Sequence, residues 1–164
     1  MAIHDNTVYV IDALCNLRSL PRSGSHAMQQ IVVVDDDPMV ATVVGDTLRE
    51  FWRVTCAVTS DHGRELLVQQ SWKLAVVDVR LGSISGLELA EMAAENNTPV
   101  LLISGCFDAL ETMHSYGFPC LAKPFGSAAL VTEVRLLIAQ GPEAVLAVKV
   151  AATTMRRETG SLRC

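Results

Sequence analysis

The chain has 164 residues, half of them hydrophobic and 19% charged, which is the profile of one packed domain and not of a disordered segment. A net charge of −5 argues against unaided binding to a polyanionic duplex, which needs clustered Lys and Arg. No apolar run approaches the ~18–20 residues of a membrane span, and MAIHDNTVYV lacks a basic stretch followed by an apolar signal core, so a cytoplasmic chain is expected, with neither membrane nor direct nucleic acid as partner.

Residues 1–28 contain NTVYVID, a candidate strand, followed by SLPRSGSHAM, which has the turn chemistry of a linker or tag; this stretch is read as a leader outside the domain. From residue 29 to 140, apolar runs of strand length alternate with amphipathic stretches. Strands are expected at Ile31–Asp35, Arg53–Val58, Leu74–Asp78, Val100–Ser104 and Cys120–Ala122. Helices are expected at about Pro38–Glu50, Asp61–Gln70, Leu87–Asn96, Asp108–Ser115 and Ser127–Ala139. Asp37 followed by Pro38 is a cap with proline at the first helical position; Thr59, Ser60 or Asp61 can cap the second helix; Gly117 and Gly141 follow the fourth and fifth. Pro119 marks Cys120–Ala122 as an edge strand. With right-handed crossovers the fold class is α/β, a doubly wound five-stranded parallel sheet in the flavodoxin-like order 2-1-3-4-5. Residues 141–164 read as a helical tail ending in basic residues. The five cysteines, Cys15, Cys56, Cys106, Cys120 and Cys164, have no CxxC spacing, and the four histidines are dispersed, so neither a disulfide framework nor a zinc site is indicated.

In such a sheet the first and third strands are neighbours, so their carboxyl ends bring Asp35, Asp36 and Asp78 into one pocket. Like charges that close repel unless a cation joins them, and hard oxygen ligands with room for water suit Mg²⁺. For DDDP alone, helix capping plus a solvated turn is the plainer account. Asp78 is different: VVDVR ends an all-apolar run on a charge, with no cap or turn to explain it.

The ordered segments VVVDDDP, AVVDVRLGSISGLEL, VLLISG and LAKPF resemble the receiver domain of two-component response regulators over about Gln30 to Ala139. The resemblance implies that Asp78 accepts a phosphoryl group from a phosphohistidine. It implies Mg²⁺ bound by Asp36 directly, by Asp35 mainly through water, by Asp78, and by the backbone carbonyl of Arg80. Ser104 and Lys123 would contact the phosphoryl oxygens, and the Lys123–Pro124 bond is a candidate for the cis form. Cys120 stands where the family carries an aromatic switch residue, and the span from Ser104 to Lys123 leaves little more than two turns for the fourth helix. The implied partners are a histidine kinase or histidine phosphotransfer protein upstream, and an unknown protein or a second copy of the chain downstream. Residues 140–164 are too few for a helix-turn-helix output domain. Two other readings remain open at this stage: a receiver-like binding module that works without phosphorylation, and a haloacid-dehalogenase-type phosphohydrolase, whose DxD spacing Asp35–Asp37 fits. Asp61-His62-Gly63 lacks the DxHxxG spacing of cobalamin binding and reads as a helix start.

Overall fold

The computed structural model of the chain describes residues 30–82, 84–106, 116–141, 143–146 and 148–149. The leader, the helix expected over residues 108–115 and the tail beyond residue 149 lie outside these. The strands are β1 (Gln30–Val34), β2 (Arg53–Ala57), β3 (Leu74–Asp78), β4 (Arg80–Leu81), β5 (Ile84–Ser85), β6 (Val100–Ser104) and β7 (Cys120–Ala122). The helices are α1 (Pro38–Arg49), α2 (Ser60–Gln69), α3 (Gly86–Glu95) and α4 (Ser127–Gln140).

Five strands form one parallel sheet in the order β2-β1-β3-β6-β7, the 2-1-3-4-5 order once the small antiparallel ribbon β4-β5 is set aside. The three central strands are apolar almost from end to end because both of their faces are covered. Period-two alternation then sorts their side chains between two cores. Val32, Val34, Ala75, Val77, Val100 and Leu102 face a cluster closed by Leu67 of α2 and by Leu89, Ala90 and Ala93 of α3. Ile31, Val33, Leu74, Val76, Leu101 and Ile103 face a second cluster closed by Val44 and Leu48 of α1 and by Leu130, Val134 and Leu137 of α4. A sheet filled this way cannot slip by one residue without exchanging its two cores, so the register that aligns the strand ends is strongly fixed.

Local signals start the helices where they are needed. Asp37 caps α1, its Oδ1 accepting from Met39 N at 2.8 Å, with Pro38 in the first turn. Thr59 caps α2, accepting from His62 N, so Asp61-His62-Gly63 is a helix start. Ser85 and Glu88 form a capping box on α3. Gly86, the first residue of α3, lies so close to β3 that an added Cβ would collide with the Asp78 backbone carbonyl oxygen; glycine lets the helix begin directly against that carbonyl. Arg135 of α4 stacks over Phe51, 4.6 Å from its centroid, fastening α4 to the turn after α1.

The opposite end of the sheet is clamped by polar groups on the loops. Trp72 donates its Nε1–H to Leu66 O, and its backbone N–H to the hydroxyl of the wholly buried Thr98, each at 2.9 Å. Asn96 Nδ2 donates to Leu67 O at 2.8 Å. Among the described residues, no helix is long and apolar enough to cross a membrane. The clamp makes Thr98 a single point of weakness. Thr98→Val keeps the shape but leaves the buried Trp72 N–H without its acceptor, and is expected to cost about 1–3 kcal/mol. A lower urea midpoint at unchanged slope checks this.

Candidate functional site

The carboxyl ends of β1, β3, β6 and β7 lie side by side, and Asp35, Asp78, Ser104 and Lys123 are found there. The β1–β3 register pairs Val34 with Val77, so Asp35 and Asp78 follow at equal height. The β6–β7 register pairs Ser104 with Ala122, and Lys123 N donates to Ser104 O at 2.8 Å. The Lys123–Pro124 peptide bond is cis.

The three successive acids have three different tasks. Asp35 is 1% exposed; its Oδ1 accepts from Asp37 N at 3.0 Å and its Oδ2 accepts from Lys123 Nζ at 2.8 Å. Asp36 is exposed and reaches across the cleft, Oδ2 accepting from Gly82 N at 3.2 Å. Asp37 is committed to the cap of α1. The capping account of DDDP therefore holds for Asp37 alone, and it leaves Asp35 and Asp36 free to face Asp78.

Asp78 is 7% exposed, with Oδ1 accepting from Lys123 Nζ at 2.8 Å and Oδ2 accepting from Arg80 N at 2.9 Å. Asp35, Asp36 and Asp78 each offer an oxygen, all within 4.8 Å of one another. Three carboxylates so placed with one ammonium leave an excess of negative charge. Burial pushes the Asp35 carboxyl above its usual range; the bonds from Lys123 and the Asp37 amide pull the other way without prevailing, and the Asp78 charge adds to the rise. For Lys123, burial alone would lower the ammonium, but the two hydrogen bonds and the two negative charges outweigh it and hold it above the ordinary lysine range. The ammonium is therefore fully charged at neutral pH, and its own titration removes its stabilising contribution only in strongly alkaline solution.

The donor set fits a hard divalent cation: carboxylate oxygens, one of them on an exposed rim residue, with a surplus charge that the single lysine does not cancel. The other candidate residues are placed differently. Ser104 is 1% exposed, and its Oγ accepts from Cys106 N at 3.1 Å, engaged by the next loop and not by a carboxylate. Arg80 binds Asp78 through its backbone N–H, and its side chain is exposed on the β4-β5 ribbon. Cys120, at the start of β7, faces the core on the α2/α3 side, donates to Phe118 O at 3.3 Å, and has its thiol pushed up to about 11 by burial. It is a neutral, small apolar group, away from the carboxylates.

Two contributors were missed in the sequence. Gly82 N, which anchors Asp36, has no side-chain signal to betray it. The Ser85–Glu88 capping box, which starts α3 beneath Asp78, was legible as Ser-x-x-Glu.

A family model described as the response regulator receiver domain matches residues 31–135. The chain belongs to this family. Among curated proteins, the regulatory protein VirG of Agrobacterium fabrum is 26% identical over 128 residues, which cover 74% of this chain and 51% of VirG. The C4-dicarboxylate transport transcriptional regulatory protein DctD of Pseudomonas aeruginosa is 35% identical over 117 residues, covering 66% of this chain and 25% of DctD. The chain thus spans about half the length of VirG and about a quarter of DctD. Among solved structures, the receiver domain of a sensor histidine kinase from Pseudomonas aeruginosa PAO1, with a magnesium ion coordinated in its active-site cleft, is 26% identical. That match covers 69% of this chain and 99% of that domain, with a TM-score of 0.61.

For this receiver domain the lysine bridge makes a prediction independent of any ligand. Lys123→Met in EDTA leaves Asp35 and Asp78 facing each other without a counter-charge, and should cost about 2–3 kcal/mol at pH 7.5, less than a fully buried pair because the lysine is partly exposed. Since the Asp35 carboxyl is already raised, protonating it on acidification removes the unpaired charge. Urea midpoints of parent and variant should therefore converge between pH 7.5 and pH 5; a gap that widens on acidification contradicts this electrostatic account.

Proposed function

We propose that the chain is a phosphoacceptor switch of a two-component system, in which Asp78 takes a phosphoryl group from a phosphohistidine of a histidine kinase or a histidine phosphotransfer protein, in the cytoplasm. The supporting observation is the Lys123 ammonium held 2.8 Å from both Asp35 and Asp78 within a cluster of three carboxylates at the strand ends. It is an acid with a cationic neighbour, at the topological switch point of a doubly wound sheet, in a chain of receiver family.

Asp36 and Asp78, with Asp35 through water and the Arg80 carbonyl, would hold Mg²⁺, which when bound offsets the negative charge of the incoming phosphoryl group. The remaining steps belong to this chain's own groups. One oxygen of Asp78 gives up its present hydrogen bond and forms the O–P bond as the N–P bond of the donor breaks, the electron pair leaving with the imidazole nitrogen. Lys123 then has a phosphoryl oxygen to donate to in place of Asp78 Oδ1. Ser104 Oγ, by leaving Cys106 N, can donate its hydroxyl proton to a second. Phosphoryl transfer needs positioning and charge compensation more than covalent machinery, and these residues supply both.

The phosphohydrolase reading would make Asp35 the nucleophile. At 1% exposure Asp35 is more deeply enclosed than Asp78, which is 7% exposed and lies beside the exposed rim residue Asp36. Output is proposed through protein contacts, with an unknown partner or a second copy of the chain. The net charge of −5 offers little to a nucleic-acid backbone.

Acetyl phosphate with Mg²⁺ should add the mass of one phosphoryl group to the intact chain, EDTA should prevent it, and Asp78→Asn should abolish it with the fold intact by circular dichroism. Label that persists on Asp78→Asn would show the acceptor to be another residue. No label on the folded parent at millimolar Mg²⁺ would leave a binding module that works without phosphorylation.

A further inference from the structure

After α4 the chain turns at Gly141, whose φ of +58° lies in the left-handed region, and residues 143–146 are again helical. This short piece crosses the edge of the sheet. Ala144 packs against the core on the α1/α4 side, whereas Val145 and Val148, 3% and 5% exposed, belong to the core on the α2/α3 side together with Val100 and Phe118. Lys149 Nζ then donates to Asn97 Oδ1 at 3.0 Å, in the corner between α3 and β6. The strap therefore joins the N-terminal ends of β6 and β7, two strands whose other ends carry Ser104 and Lys123.

Among the described residues its seat is incompletely filled. A cavity of about 320 Å³ lies at the root of the strap, lined by Gly117, Phe118, Pro119, Leu137, Gln140 and Ala144 among others. Leu146 is 61% exposed. Among the described residues, the strap is held by the burial of Val145 and Val148 and by the Lys149–Asn97 bond. A segment packed across the ends of two strands responds to small relative movements of those strands.

We propose that this strap is an intramolecular latch, seated while Lys123 grips Asp35 and Asp78 and loosened when Asp78 carries a phosphoryl group. The proposal rests on the acceptor reading given above. β6 and β7 are only five and three residues long and are paired from Leu102↔Cys120 to Ser104↔Ala122, so they move as short stiff levers. Phosphorylation acts on both at once, transferring the Lys123 contact from Asp78 to the phosphoryl group and drawing Ser104 Oγ away from Cys106 N. The strap is seated in the same structure in which those two contacts are made. Coupling of this kind is reciprocal: what loosens the strap must favour the phosphorylated state by the same factor.

Amide hydrogen exchange, followed by mass spectrometry on the full chain with Mg²⁺, with and without acetyl phosphate, tests this directly. Peptides following Gly141 should exchange about fivefold faster or more in the phosphorylated chain. Asn97 has a φ of +57°, so Asn97→Gly keeps the left-handed backbone at that corner while removing the acceptor of Lys149, and should shift the phosphorylated fraction upward by a similar factor; Val148→Asp should act in the same direction more strongly. Should Val148→Asp fail to fold, Asn97→Gly carries the test. If the chain takes label yet the strap exchanges at an unchanged rate and Asn97→Gly is labelled like the parent, the latch is overturned and the acceptor reading stands. If no label is taken, both fall together.

Discussion

Three carboxylates held within 4.8 Å of one another, with one ammonium between two of them, are the constraint around which the chain is organised. Left to themselves such charges separate. What keeps them together is backbone: Asp35 is fixed by the Asp37 amide, Asp36 by the Gly82 amide, and Asp78 by the Arg80 amide. These amides come from the turn that leaves β1 and from the β4-β5 ribbon that follows β3. The apolar sheet is the other half of the device, because only strands locked in register by two buried cores can hold the ends of β1, β3 and β7 at equal height against that repulsion. A cluster so loaded gains from any cation that enters it, which is why metal and phosphoryl chemistry are proposed for the same place.

Arrangement along the chain divides the labour economically. A strand, a turn and a helix start follow one another within four residues, so adjacent acids in a single run point to a buried pair, an exposed rim and a helix amide. Helix capping and cation binding need not compete for DDDP, since α1 uses Asp37 and the cleft uses the two before it. Gly86 solves a related problem on the other side of the site. Without a side chain it lets α3 start against the Asp78 carbonyl, so the strand that bears the proposed acceptor and the helix behind it are joined by only seven residues.

Much of this could be read from the residues, for a physical reason. Long apolar runs such as IVVV, LAVVD and VLLIS have one stable setting, the middle of a parallel sheet with both faces covered, and the five strands, their order and the bounds of α1, α2, α3 and α4 followed to within two residues. Asp37 and Pro38 identified a helix start because their chemistry is local. The contacts that were not legible are the nonlocal backbone ones. Gly82 N beneath Asp36, and Thr98 beneath the Trp72 amide, depend on loops meeting across the fold, and no spacing in the sequence encodes that meeting. The β4-β5 ribbon escaped for a different reason: its strands are two residues each, shorter than any pattern that alternation can mark. The convergence of Lys123 on Asp35 across 88 positions came from the resemblance to receiver domains, not from periodicity.

Cys120 carries the last step. A large ring at this point of β7 could swing between core and solvent and so report on the strand; a small, half-buried thiol bonded to the Phe118 carbonyl has no such stroke. The volume on that side of the sheet is occupied instead by Phe118, Val145 and Val148, all in the same apolar cluster as Cys120. Movement of β7 is therefore felt by the chain that follows α4, and not by a rotamer within β7 itself. In the proposed latch, the element that reads the strand is a segment and not a side chain of the strand itself.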